Sequence, residues 1–286
     1  MGPIGKWMRS LICLSMAVLF FGCNPNKRDP LTVELQSAPA FNADSAFAFI
    51  ETQLAFGPRV PGTMGHKMCG DFIVAHLTEN GFAVVQQIDS IVGFDSREFP
   101  LRNIIGSLNP EITKRVMLCA HWDSRPYMDQ DSEHLHDSLV GANDNASGVS
   151  ILLEMARIMA KDNPQIGVDL IFFDMEDQGR PVFKTGANPE DHGYCLGSTY
   201  WSQNQKGVKP TYGILLDMVG ARDAIFTLES ISMQYAEDIV YKVWDMGTQL
   251  GYNSNFQYNR TGPVYDDHKY INEIGGIPCI DIIQHD

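Results

Sequence analysis

The chain has 286 residues, and its 21 Lys and Arg stand against 35 Asp and Glu, a formal net charge of −14 at neutral pH. So acidic a body argues against nucleic acid as a partner, and the length fits one large α/β domain. Cys69, Cys119, Cys195 and Cys279 are spaced too widely for a zinc finger or a dense disulfide framework.

Lys6 and Arg9 precede an apolar stretch from Leu11 to Phe21, too short to span a bilayer as a helix but suited to the core of an export signal. Gly22-Cys23 resembles a bacterial lipobox, which implies cleavage after residue 22 and lipidation of Cys23. A plain secretory signal and an uncleaved anchor are the other readings of this segment. Residues 23–40 are polar and contain proline, as a tether does. Loss of residues 1–22 would leave 264 residues with a formal charge of −16. The expected location is the bacterial cell envelope, as a periplasm-facing or surface lipoprotein held to the membrane by its lipid. The catalytic domain is expected over 41–286.

From there the elements alternate. Ala43 to Phe56 reads as a helix after Asn42 that stops at Gly57, and Met68 to Asn80 as a second that stops at Gly81. Strands are predicted at Ala83 to Gln87, Asn103 to Ser107 and Val116 to Ala120. Val149 to Ala160 is a helix with Ile151, Leu152, Met155, Ile158 and Met159 on one side. A strand from Val168 to Phe173 leads into a long loop and a short helix around Ser198 to Gln203. Strand Tyr212 to Leu216, helix Met233 to Leu250 and strand Pro278 to Ile283 complete the pattern. The expected fold is a single α/β domain, a mixed central sheet with helices on both faces.

Acidic and polar residues follow several of these apolar runs. His121 and Asp123 come after Val116 to Ala120, and Glu176 and Asp177 after Val168 to Phe173. Asp217 comes after Gly213 to Leu216, and Asp144 lies in Gly-Ala-Asn-Asp-Asn-Ala-Ser-Gly (141–148). In open α/β sheets ligands collect beyond the carboxyl ends of the strands, so one rim would receive a histidine and several carboxylates, a set that a cation neutralises. Asp144 also suits a helix cap, and the Glu176–Asp177 pair also suits a solvated loop. An apolar strand ending just before that pair favours the rim, and adjacent side chains diverge, so one can bind a cation while the other moves protons. His134 and His136 lie in a charge-rich loop, which favours plain solvation.

The ordered motifs carry a resemblance. Phe-Gly-Pro-Arg-Val-Pro-Gly-Thr (56–63), Ala-His-Trp-Asp-Ser-Arg (120–125), the 141–148 segment and Phe-Phe-Asp-Met-Glu-Asp (172–177) form its first half. Leu-Gly-Ser (196–198), Leu-Leu-Asp-Met-Val-Gly-Ala (215–221) and Asp-Asp-His (266–268) complete it. Together they resemble glutaminyl cyclases, glutaminyl-peptide cyclotransferases related to the zinc aminopeptidases of the M28 type, with bacterial lipoprotein members.

The resemblance implies that Asp144 and Asp177 are zinc ligands and that Glu176 is the general base and acid. It implies that Asp217 and Asp266 support Glu176 through a carboxylate hydrogen-bond network. One zinc is expected for a cyclase, acting on peptides or proteins with an N-terminal glutamine. In the two-metal aminopeptidases His121 and Asp217 would hold a second zinc, with Asp144 bridging. Asp177 stands where animal cyclases have Glu, a shorter arm with the same oxygen chemistry.

One departure remains. The family's third zinc ligand is a histidine beyond the strand that here reads Ile280-Asp281-Ile282-Ile283, and His285 lies too close behind that strand to match it. The expectation is a domain lacking its C-terminal end, with the activity of the chain as it stands left open. Three readings follow: a glutaminyl cyclase, an M28-type aminopeptidase, and an inactive lipoprotein that binds peptide amino termini.

Overall fold

Strand β4 (Gly167–Phe173) builds the centre of the sheet. In the computed structural model, which describes residues 37–184 and 193–284, every residue of this strand is buried. A strand covered on both faces needs partners on both edges, and β4 has β2 (Glu98–Leu108) antiparallel on one side and β3 (Arg115–His121) parallel on the other. The six-stranded sheet runs β1 (Ala83–Val92), β2, β4, β3, β5 (Gly213–Asp217), β8 (Cys279–Ile283). Its last four strands are parallel. The mixed sheet expected from the alternating pattern is the observed one.

Alternation along the strands divides the core in two. Ala120, Val168, Leu170, Phe172, Leu216, Ile280 and Ile282 face helices α2 (Met64–Glu79), α3 (Gly148–Lys161) and α5 (Ser230–Gln249). Met117, Cys119, Ile171, Phe173, Leu215 and Cys279 face α4 (Leu196–Gln203) and α6 (Asp267–Glu273) through Trp201 and Ile271. Burying a large side chain of this kind stabilises the fold by roughly 1.5–3 kcal/mol, so each face holds its helices firmly. Helix α1 (Ala43–Ala55) begins at Asn42, whose side chain accepts from Ser45 N at 3.0 Å.

Several boundaries differ from the sequence reading, each for a local reason. The β1–β2 hairpin is much longer than predicted, pairing Ala83 with Ser107 through Val92 with Glu98. Polar residues such as Gln86, Gln87, Asp89 and Ser90 hide β1 from an apolar-run search, because the strand is an edge largely open to solvent. Helix α2 starts a turn early because Thr63 caps it, its Oγ1 accepting from His66 N at 3.3 Å. Helix α5 starts at Ser230, capped by Glu229, which accepts from Ile231 N and Ser232 N at 2.7 Å each. Helix α6 and the small parallel pair β6 (Phe226–Leu228) and β7 (Phe256–Arg260) were not predicted. No described helix is long and apolar enough to cross a membrane. Cys23, the export segment and His285 lie outside the described residues.

Candidate metal and catalytic centre

The carboxyl ends of the parallel strands point to one rim, and chemistry gathers there. His121 is the last residue of β3, Asp217 the last of β5, and Glu176 and Asp177 follow β4 by a few residues. Asp144 lies in the irregular helical turn Ala142–Ser147 that leads into α3, and Asp266 is the cap of α6. His121 Nε2 is 3.0 Å from Asp144 Oδ1, 3.4 Å from Asp217 Oδ1 and 4.0 Å from Glu176 Oε2.

Two glycine-dependent approaches hold these residues in place. Gly141 has φ +67°, and a Cβ there would collide with the carbonyl of Asp144. Arg59, fully buried, ties the same turn down by donating to Trp122 O at 2.8 Å, Val140 O at 2.7 Å and Gly141 O at 2.8 Å. Gly197, in the first turn of α4, leaves room for the carbonyl of Asp174, so the helix start presses against the loop after β4. Cys195 N then donates to Glu176 O at 2.8 Å and Leu196 N to Met175 O at 3.0 Å. Met175 takes φ 59°, a turn that separates the paths of Asp174 and Glu176.

Asp123 joins the two strand ends. Its carboxylate accepts from Glu176 N and Asp177 N at 3.1 Å each and from Gln178 Nε2 at 2.9 Å, while His121 Nδ1 lies 3.5 Å away. A carboxylate behind a metal-binding imidazole fixes its ring and tautomer. Asp123, expected on this rim from its position just past Val116 to Ala120, is found there.

Glu176 and Asp177 diverge as adjacent side chains do. Asp177 Oδ1 is 3.2 Å from Arg125 Nη1, and its Oδ2 is buried without a hydrogen-bond partner. Glu176 Oε1 instead accepts from the thiol of Cys195 at 3.3 Å. Burial raises the pKa of Glu176 well above the usual carboxyl range, His121 opposes the rise, and Asp266, Asp177 and Asp267 add to it. Asp266 is pushed up to about 7, chiefly by burial and then by Asp217. Burial disfavours the charged form of His121, yet Asp123, Asp144 and Asp217 outweigh it and hold the pKa well above that of free imidazole.

These donors suit a divalent cation. His121, Asp144 and Asp217 each offer a ligand atom within 4.8 Å of the others. The imidazole nitrogens and Asp217 Oδ1 are buried without an aligned hydrogen-bond partner. Burial raises the pKa of Asp177 well above its ordinary value, and Asp144 is the next contributor, which places the two carboxylates in mutual repulsion that a cation would relieve. Nitrogen and oxygen donors of this kind are those that zinc takes.

The sequence-derived residues therefore meet at one rim: His121, Asp144, Glu176, Asp177, Asp217 and Asp266. Cys195 beside Glu176 and the buried Asp267 were not singled out from the sequence. His134, exposed, pairs with Asp137 at 3.1 Å, and His136 packs edge-on against Phe183.

Comparison with known proteins gives this geometry a family. The model of peptidase family M28 matches residues 103–286. The chain belongs to peptidase family M28. Among solved structures, a Zn-dependent exopeptidase from Parabacteroides distasonis is 45% identical, with a TM-score of 0.84 over 87% of this chain and 86% of that one. The Bacteroides thetaiotaomicron glutaminyl cyclase bound to N-acetylhistamine is 43% identical, with a TM-score of 0.85 over 87% of each chain. A curated relative, the glutaminyl-peptide cyclotransferase of Gloydius blomhoffii, is 29% identical over 198 residues, 58% of this chain. The chain spans about half the length of the curated relatives it matches.

Proposed function

We propose that this M28 protein is a zinc-dependent glutaminyl-peptide cyclotransferase that converts N-terminal glutamine to pyroglutamate with release of ammonia. The observation that carries the reading is the setting of Glu176: a carboxyl on the cation-binding rim whose neighbour Asp177 turns the other way, toward Arg125. The likeness to the Bacteroides thetaiotaomicron enzyme supports it.

Asp144 and Asp177 would hold the zinc, with His121 and Asp217 beside them. When bound there, zinc would polarise the side-chain amide carbonyl of the substrate and stabilise the charge that develops on its oxygen. The free α-amine of the glutamine attacks that carbonyl carbon and forms the ring bond. Glu176 takes a proton from the amine and delivers it to the amide nitrogen, which departs as ammonia when the carbon–nitrogen bond breaks. A raised pKa suits a carboxyl that must both accept and return a proton near neutrality. The expected hydrogen-bond network does not form, since no hydrogen bond joins Asp217 or Asp266 to Glu176 among the described residues; Asp266 acts on Glu176 through its charge, and Asp217 on Asp266. Asp123 keeps His121 and the Glu176–Asp177 backbone in register.

The His121–Asp144–Asp217 group supports a second reading, a two-metal aminopeptidase, because its 3.0 and 3.4 Å spacings suit a cation with bonds of about 2.0 Å. Product analysis separates the two. A Gln-initiated peptide incubated with the zinc-loaded chain should lose ammonia and keep every residue. Release of free glutamine would favour the aminopeptidase, and an unchanged peptide would refute both. The envelope location and the lipid on Cys23 are part of the proposal, supported by the export segment, and mass spectrometry of the N-terminal peptide tests them.

A further inference from the structure

A second group of donors stands on the same rim and has no part in holding the first cation. Glu176, Cys195 and Asp266 each offer a ligand atom, and these atoms lie within 4.8 Å of one another. Cys195 Sγ is already 3.3 Å from Glu176 Oε1. A tetrahedral zinc with bonds of about 2.3 Å to sulfur and 2.0 Å to oxygen separates those two ligands by about 3.5 Å. The pair therefore needs almost no movement.

An independent observation points into this group. Asp266 is 3% exposed; its Oδ1 accepts from Asp267 N, and its Oδ2 is buried with no hydrogen-bond partner. An orphaned carboxylate oxygen in a buried site costs free energy until something positive meets it. Both flanking ligands are anchored, Cys195 by its backbone bond to Glu176 O and Asp266 as the cap of α6. The way in is past Glu176, whose side chain is 13% exposed.

We propose that Glu176, Cys195 and Asp266 form an inhibitory site for a thiophilic divalent cation, zinc in excess or cadmium. Thiolate selects these ions over magnesium and calcium, which prefer all-oxygen sites. Binding exchanges the thiol proton of Cys195 for the metal and releases that proton to solvent. The bound ion occupies the Glu176 carboxylate, so the carboxyl that would carry the substrate's proton is withdrawn. Inhibition rests on the cyclotransferase reading of Glu176; the binding does not.

Cadmium titration of the full chain carrying one equivalent of zinc tests both parts. The first cation site has no sulfur, so a cadmium–thiolate charge-transfer band in the ultraviolet reports binding at a cysteine, and its loss in Cys195→Ser assigns it to the second site. The band should saturate at one added equivalent and survive Cys23→Ser. It should vanish in Cys195→Ser and need at least about tenfold more cadmium in Asp266→Asn, with circular dichroism checking that each variant is folded. In parallel, half-inhibition of ammonia release, scaled to each variant's own uninhibited rate, should shift by at least about tenfold in Cys195→Ser. No band, or a band that persists in Cys195→Ser, overturns the site; should Cys195→Ser unfold, an unshifted band in Asp266→Asn does so. Saturated binding with undiminished turnover overturns the inhibitory role. A chain with no turnover before cadmium is added refutes the proposed function instead, and the band still decides the site.

Discussion

The carboxylate of Asp123, just past β3, accepts a hydrogen bond of 3.1 Å from the backbone N–H of Glu176, beyond β4. One buried acid thus sets the distance between the His121 side of the rim and the Glu176–Asp177 side. Asp123→Ala would strand the N–H groups of Glu176 and Asp177 and the Gln178 amide, and leave His121 free to turn. Zinc affinity, measured by competition with a chelator, should fall by about 10–100-fold. Unchanged affinity would mean that the rim does not depend on this bridge.

Glu176→Gln keeps the shape and removes the ability to accept a proton. Ammonia release from a Gln-initiated peptide should fall by about 10²–10⁴-fold, while zinc content by metal analysis stays the same. Loss of the zinc together with the activity would make Glu176 a ligand and not a proton carrier.

Arg59 supports the Asp144 turn from below. Arg59→Leu would take the guanidinium from the carbonyls of Trp122, Val140 and Gly141; Gly141 O keeps Ala146 N at 3.2 Å and Val140 is exposed, so the carbonyl of Trp122 bears most of the loss. At roughly 1–3 kcal/mol for a buried unsatisfied group, destabilisation of at least about 1 kcal/mol is expected in urea unfolding. A loss below about 1 kcal/mol would show that water replaces the guanidinium.

Glu229 makes stability depend on acid. Burial would raise its pKa, but His268 and the N–H groups of Ile231 and Ser232 outweigh burial and bring it from 4.5 down to about 2. A carboxyl with a lowered folded pKa contributes stability above its ordinary pKa and loses it as pH falls through the folded value. The gap in thermal midpoint between the native chain and Glu229→Gln should therefore be constant above 4.5 and close between there and about 2. A gap independent of pH would remove the charge from the explanation.

How much of this was legible depended on whether burial wrote itself into the sequence. Strand β4 is covered on both faces, so its apolar run and the acids behind it stood out. Edge strand β1 carries polar side chains to solvent and was read as half its length. Helix α6 is seven residues long, too short for a periodic pattern, so the chain gave no hint that Asp266 caps it within reach of Cys195. Asp144, Glu176, Asp177 and Asp217 were reachable by position. The Asp123 bridge and the Cys195–Glu176 contact depend on how the loop after β4 folds back on the start of α4. Only tertiary structure specifies that.

The most direct test locates the metal. Crystals of the full chain with one equivalent of zinc, measured at the zinc absorption edge, should show a single anomalous peak bonded to Asp144 and Asp177, with the Glu176 carboxylate beside it and unbound. A peak bonded to Glu176, or zinc held by His121 and Asp217 with Asp177 bare, would contradict the account.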